Sequence, residues 1–142
     1  MYWIKSPNIS TVHGFSTRHG GVSPEPFLSL NLGGTDDLPE NIAENRKRAL
    51  GDLKIDMSQV SYLNQIHSNI VCQATVGKQT GDALVTNQKN IAIAVGAADC
   101  YPILFHDDKN QVIGAAHCGW RGTLAKIVKN TINEMVELGA EN

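Results

Sequence analysis

Hydrophobic residues recur with helical spacing in two segments of the chain, residues 39–53 and roughly residues 123–138. The first begins at a proline and a glutamate and carries its basic residues further along, which suits the helix dipole. For the second, Thr123 is the expected N-cap and Gly139 the expected stop. The pattern therefore predicts two helices.

Elsewhere, short apolar runs bounded by glycine, proline and polar residues predict strands or extended segments. They are residues 2–4, 11–17, 27–32, 60–63, 69–75, 83–86, 91–98, 103–106 and 112–117. The last two are joined by the sequence DDKN, which predicts a hairpin, and residues 76–81 are expected to form a turn. Many short strands with two helices indicate an α+β fold, with mixed sheets and helices outside.

The composition supports one packed domain. A chain of 142 residues with 42% hydrophobic and 18% charged residues can bury a core, so we expect a single domain over residues 1–142. The net charge of −2 gives no basic footprint, and we expect no nucleic-acid partner. We also expect no membrane association, because no apolar run reaches the ~20 residues that a spanning helix needs.

Three sparse cysteines and an N-terminus without an export signal favour reduced thiols and a cytoplasmic protein. Cys100 and His117 stand at the ends of apolar runs, and His67 follows another. Thiolate and imidazole are the ligands that zinc prefers, and a catalytic zinc keeps three protein ligands. The central hypothesis is therefore one zinc ion bound by these three residues.

The spacing of these residues is not that of a zinc finger, and simpler interpretations exist. Cys100 could be a small buried hydrophobe, His117 a core histidine and His67 a surface residue. Cys118 should face away from His117, because neighbouring side chains on a strand point to opposite faces. It is therefore expected to pack in the core.

Two glycine-containing loops could hold an anion. The sequence GWRG, residues 119–122, leads into the second predicted helix, and Arg121 could contact phosphate there. Arg18 precedes a Gly-Gly pair in the sequence STRHGG, which could fold over a ligand. Ordinary surface turns are the alternative for both loops.

The sequences GFSTRHGGVS, NQIHSNIV, GDALVT, AADCYPILF and AAHCGWRGT, in this order, resemble the YfiH family. That family was long described as laccase-like or polyphenol oxidase, and later as zinc-dependent purine nucleoside phosphorylases that also deaminate adenosine. The resemblance implies a layered α+β fold, zinc as cofactor, and His67, Cys100 and His117 as its ligands. Family members are longer, so this chain is expected to correspond to their N-terminal part.

The resemblance implies a purine nucleoside, such as adenosine or inosine, and phosphate as substrates; a homodimer is also considered. In this hypothesis Arg18 and Arg121 hold phosphate, and Asp82 or Asp99 moves the proton in deamination. The alternatives are a thiol hydrolase with Cys100 as nucleophile, and a zinc-binding segment without activity. A multicopper oxidase is the weakest alternative function, because its copper sites need more ligands than the five histidines and three scattered cysteines readily provide.

Overall fold

A computed structural model describes residues 3–141. The chain forms two compact units, of which the first ends at Met57 and the second begins at Ser58. The expected single domain over residues 1–142 stays a prediction.

In the first unit, β1 (Trp3–Ile4) pairs antiparallel with β2 (Phe15–Ser16), and one helix follows, α1 (Pro39–Asp52). The helix confirms the prediction for residues 39–53. Its start has the expected chemistry, since a proline occupies the first turn and an acidic residue lies near the positive end of the helix dipole. The strands are shorter than predicted, and Tyr2 lies outside the described residues.

The predicted extended segment at residues 27–32 is not a strand. Side chains donate to several of its carbonyl groups, and the Ser29 carbonyl also accepts the backbone N–H of Ser23. The Asn45 amide of α1 is fully buried and donates to the carbonyl oxygens of Ser29 and Asn31 at 3.2 and 2.9 Å. The segment is therefore held largely by polar side chains, which hydrophobic periodicity does not reveal.

The second unit contains two sheets. A parallel three-stranded sheet has the order β5-β3-β7, and a mixed four-stranded sheet has the order β4-β6-β9-β8. The strands are β3 (Val60–Asn64), β4 (Val71–Gln73), β5 (Gly77–Thr80), β6 (Ala83–Thr86), β7 (Ala92–Ala94), β8 (Tyr101–Asp107) and β9 (Val112–Cys118). Two helices follow, α2 (Trp120–Leu124) and α3 (Ile127–Glu137). This mixed α and β architecture agrees with the predicted fold class.

The strand predictions in this unit are largely confirmed, with one omission. The predicted hairpin is the antiparallel pair β8–β9, and all four residues of β6 are buried as its apolar sequence indicated. The prediction of a turn at residues 76–81 is wrong, because β5 lies there. Its sequence GKQT is polar, and it forms a strand at the edge of the sheet through parallel pairing with β3.

The second predicted helix is interrupted. Lys126 has a left-handed backbone with φ of 65°, so the segment forms α2 and α3 rather than one helix from Thr123. The Asn69 side chain donates to the carbonyl oxygen of Ala125 at 3.0 Å, which satisfies one group at the interruption. Gly139, with φ of 100°, ends α3 as expected.

Helix α3 covers one face of the four-stranded sheet. Ile127 is fully buried with Ala83 and Ala116, and Met135 packs with Val85 further along. Cys118 belongs to the same core, so it faces the helix side of the sheet. Its predicted packing role agrees with this position, and the neighbouring His117 points to the opposite side.

Candidate metal centre

Three chain segments of the second unit bring the predicted zinc ligands together. His67 follows β3, Cys100 directly precedes β8, and His117 is the penultimate residue of β9. The nitrogen and sulfur atoms that could bind a metal all lie within 4.8 Å of one another. Among the described residues, no other group of three or more His, Cys, Asp or Glu side chains has this property.

The cluster lies between the core and the surface. The His117 residue is 4% exposed, Cys100 is half-buried and His67 is exposed. The two imidazole rings meet edge to face, with centroids 4.9 Å apart and an angle of 82° between their planes. One side of the cluster is thus fixed by the sheet, and the other is accessible to a ligand.

Asp82 supports the cluster from inside. It is fully buried, and its Oδ1 lies 2.9 Å from Nδ1 of His117 and accepts the backbone N–H of His67 at 3.0 Å. Its Oδ2 accepts the hydroxyl and the backbone N–H of Ser68, both at 2.6 Å, and the N–H of Ile66 at 3.3 Å. The carboxylate thereby connects the buried imidazole to the loop that carries the exposed one.

The surroundings shift the acidities of two groups. Burial alone would raise the pKa of Asp82, but hydrogen bonds from Ser68 and His117 outweigh it and lower that pKa. Burial raises the pKa of the Cys100 thiol, and the charge and hydrogen bond of Asp99 raise it further. Without a metal ion, Cys100 is therefore held as a thiol rather than as a thiolate nucleophile.

Gly119 lies directly against all three candidate ligands. A Cβ atom there would be 2.7 Å from Cδ2 of His67 and 3.5 Å from both Sγ of Cys100 and Cε1 of His117. Its φ of −68° and ψ of 162° are open to any residue, so the need for glycine is steric. From the sequence, this glycine was expected only to form part of an anion-binding turn.

The remaining predicted site residues are less closely tied to the cluster. Asp99 is exposed and hydrogen-bonds the Cys100 thiol. Arg121 lies exposed on α2, with its guanidinium 5.2 Å from the ring centroid of Trp120. Arg18 belongs to the first unit, where its Nε donates to the Leu28 carbonyl at 3.1 Å and it lines an open cavity of about 360 Å³. Their predicted roles in phosphate binding and proton transfer stay predictions.

Two imidazoles and a thiol in this arrangement can hold a metal ion. Since the carboxylate beside Nδ1 of His117 leaves Nε2 as the available ligand atom, the donors are two nitrogens and one sulfur. This donor set suits zinc, and three protein ligands leave a fourth coordination position open.

Comparison with known proteins gives the family. The sequence profile of the family described as multi-copper polyphenol oxidoreductase laccase matches residues 12–142. The chain belongs to this laccase-like family. The resemblance to YfiH proteins noted in the sequence is therefore confirmed.

Curated relatives are similar over most of the chain. A protein of Deinococcus radiodurans named purine nucleoside phosphorylase is 44% identical over 138 residues, which are 96% of this chain and 54% of that protein. Purine nucleoside phosphorylase YfiH of Escherichia coli is 40% identical over 83% of this chain and 50% of its own length. The chain thus spans about half the length of the curated relatives it matches.

Solved structures support the same relationship. The crystal structure of the Bacillus licheniformis hypothetical protein YfiH superimposes with a TM-score of 0.82 at 30% identity, covering 87% of this chain and 51% of that one. The fold of the laccase-like family is therefore the fold of this chain. Within residues 3–141, no helix is both long enough and apolar enough to cross a membrane.

Proposed function

We propose that this chain carries the zinc centre of a purine nucleoside phosphorylase that cleaves adenosine, inosine and related nucleosides with phosphate. One observation carries the proposal: His67, Cys100 and His117 converge within 4.8 Å in a chain whose relatives are named purine nucleoside phosphorylases. Bound there, zinc would supply a Lewis acid, and in deamination an activated water.

Phosphorolysis requires phosphate held in line with the ribose carbon while the purine leaves, through a transition state resembling an oxocarbenium ion. Arg121 is proposed to bind phosphate, because its exposed guanidinium lies on the helix that directly follows Gly119 at the cluster. For Arg18, which belongs to the first unit, phosphate binding remains a prediction from the sequence.

Adenosine deamination is proposed as a second reaction of the same site. It needs a carboxyl group that moves a proton between water and the leaving ammonia. Of the two predicted carboxylates, Asp99 is exposed beside Cys100, whereas Asp82 is fully buried. Asp99 is therefore the better placed to reach a substrate.

The competing thiol-hydrolase function uses the same Cys100 and His117. One observation weighs against it. The pKa of the Cys100 thiol is raised by burial and by Asp99. A hydrolase nucleophile requires the opposite shift in its thiol pKa.

The family's description as a multicopper laccase suggests oxidation instead. Within the described part of the chain, the His67, Cys100 and His117 group is the single cluster suited to a metal, which supports a mononuclear site. Several copper ions would need further ligand groups.

The test is release of free purine from inosine by the purified protein, measured with and without phosphate and with and without a strong chelator. We expect base release that depends on phosphate and is abolished by the chelator and restored by zinc. Activity that persists in chelator would support the thiol hydrolase. Zinc binding without base release would indicate a binding segment, and oxygen consumption with a phenol would support the laccase.

A further inference from the structure

We infer that Asp82 is a positioning residue of the metal centre: its one buried carboxylate selects the ligand nitrogen of His117 and holds the backbone that presents His67. The inference rests on the proposal that these histidines and Cys100 bind a metal ion. Asp82 was one of the two carboxylates expected to move the proton in deamination, and the contacts of its carboxylate favour a different role.

The first contact fixes an imidazole. Oδ1 of Asp82 lies 2.9 Å from Nδ1 of His117, and the two residues are 0% and 4% exposed. A carboxylate accepts hydrogen bonds, so Nδ1 carries the proton and Nε2 keeps its lone pair for the metal. The backbone N–H of His117 also donates to the Asp82 carbonyl at 2.7 Å, so the whole residue is held.

The second set of contacts fixes a strained loop. His67 has a left-handed backbone with φ of 57°, a conformation that persists only where its surroundings enforce it. The Asp82 carboxylate accepts the N–H groups of Ile66, His67 and Ser68. Three successive amides thus converge on one buried group, and this convergence places the exposed His67 ring beside His117.

The number of hydrogen bonds that the Asp82 carboxylate accepts, and its negative charge, favour positioning over proton transfer. With the Ser68 hydroxyl, five hydrogen bonds reach the Asp82 carboxylate, which offers about four lone-pair sites. No acceptor site is left for a substrate proton. The negative charge instead offsets the positive charge that a divalent ion would retain after binding the Cys100 thiolate.

The first test reads the tautomer of His117 directly. Long-range proton–nitrogen NMR spectra of the ¹⁵N-labelled protein, before and after zinc addition, should show Nδ1 of His117 protonated in both states. A proton on Nε2 in place of Nδ1 before zinc addition, or zinc bound through Nδ1, would overturn the inference. This measurement needs no substitution, so it does not depend on whether a variant folds.

The second test replaces the carboxylate with an amide. Asp82→Asn has one acceptor oxygen and introduces two N–H donors that face the existing donors. We expect zinc affinity, measured by chelator competition, to fall about 10–100-fold, and the visible spectrum of the cobalt-substituted protein to change. Asp107→Asn is the matched control, because Asp107 also accepts neutral hydrogen bonds but lies at the far end of β8 from Cys100.

The outcomes separate this inference from the proposed function. An Asp82→Asn protein that binds zinc like the wild type but loses deamination would restore Asp82 as a proton carrier and overturn positioning. A wild-type protein that binds zinc through the predicted nitrogen but releases no purine would overturn the proposed function alone.

Discussion

Gly119→Ala is the substitution by which the geometry of the metal centre can be tested with the least change to the fold. The new Cβ would lie 2.7 Å from Cδ2 of His67, whereas ordinary contacts begin at 3.4 Å. The His67 ring must therefore retreat by about 0.7 Å. Metal–ligand distances tolerate about 0.2 Å, so this ring can bind together with Cys100 and His117 only in a distorted geometry.

The expected loss in zinc affinity is about 10–100-fold, which corresponds to about 1.4–2.8 kcal/mol. Folding should not suffer. The backbone of Gly119 is compatible with alanine, and the displaced His67 ring is exposed. A glycine-to-alanine change at a compatible site stabilises by about 0.4–1 kcal/mol through the unfolded chain. We therefore expect affinity to fall while the free energy of unfolding stays the same or rises.

Chelator competition and urea denaturation measure the two quantities. Gly96→Ala is the matched control in the same unit, because the nearest heavy atom to its Cβ, Oε1 of Gln65, is 3.6 Å away. It should leave zinc affinity unchanged. A Gly119→Ala protein that binds zinc as tightly as the wild type would refute the arrangement of ligands described here.

Three further predictions concern other parts of the chain. Arg121→Ala should raise the phosphate concentration needed for half-maximal base release at least about tenfold. This is the effect of losing one charge-assisted hydrogen bond, which is worth roughly 1.5–3 kcal/mol. An unchanged phosphate dependence would remove Arg121 from this role. Ile127→Ala should lower the free energy of unfolding, measured in urea titrations, by about 2–5 kcal/mol, because the Ile127 side chain on α3 is fully buried against the sheet. A smaller loss would contradict that packing. Hydrogen bonds from Asn110 and from the Glu141 backbone lower the pKa of Asp107 to about 2, so its stabilising effect is complete above its usual value of 3.8 and is lost as the pH falls towards 2. The stability difference between the wild type and Asp107→Asn should therefore shrink over that range, and a constant difference would contradict it.

Local sequence patterns predicted the helices and strands that are determined by residues close together in the sequence. Helix α1 has its apolar spacing, its proline and its acidic first turn in consecutive residues, and the β8–β9 hairpin has its turn signal between two apolar runs. Strand β5 was missed because its polar residues form a strand only through pairing with the distant β3. The interruption at Lys126 was missed because helical spacing continues across it.

The candidate site also has features that the sequence predicted and features that it did not. The chemistry of the cysteine and histidine side chains, together with their places at the ends of apolar runs, identified the three residues that the fold brings together. The contacts of Asp82 join residues 14 to 35 positions apart, and the steric role of Gly119 depends on the distant His67 ring. Neither follows from a local pattern, because both arise from the convergence of separate strands.

Metal analysis of the purified chain tests the central claim most directly, alongside a Cys100→Ser variant and a Cys72→Ser control. Cys72 is a free cysteine that does not belong to the cluster. We expect about one zinc ion per chain in the wild type and the control, and little zinc in Cys100→Ser. A wild-type protein without zinc, or a Cys100→Ser protein that retains it, would contradict the proposed metal centre.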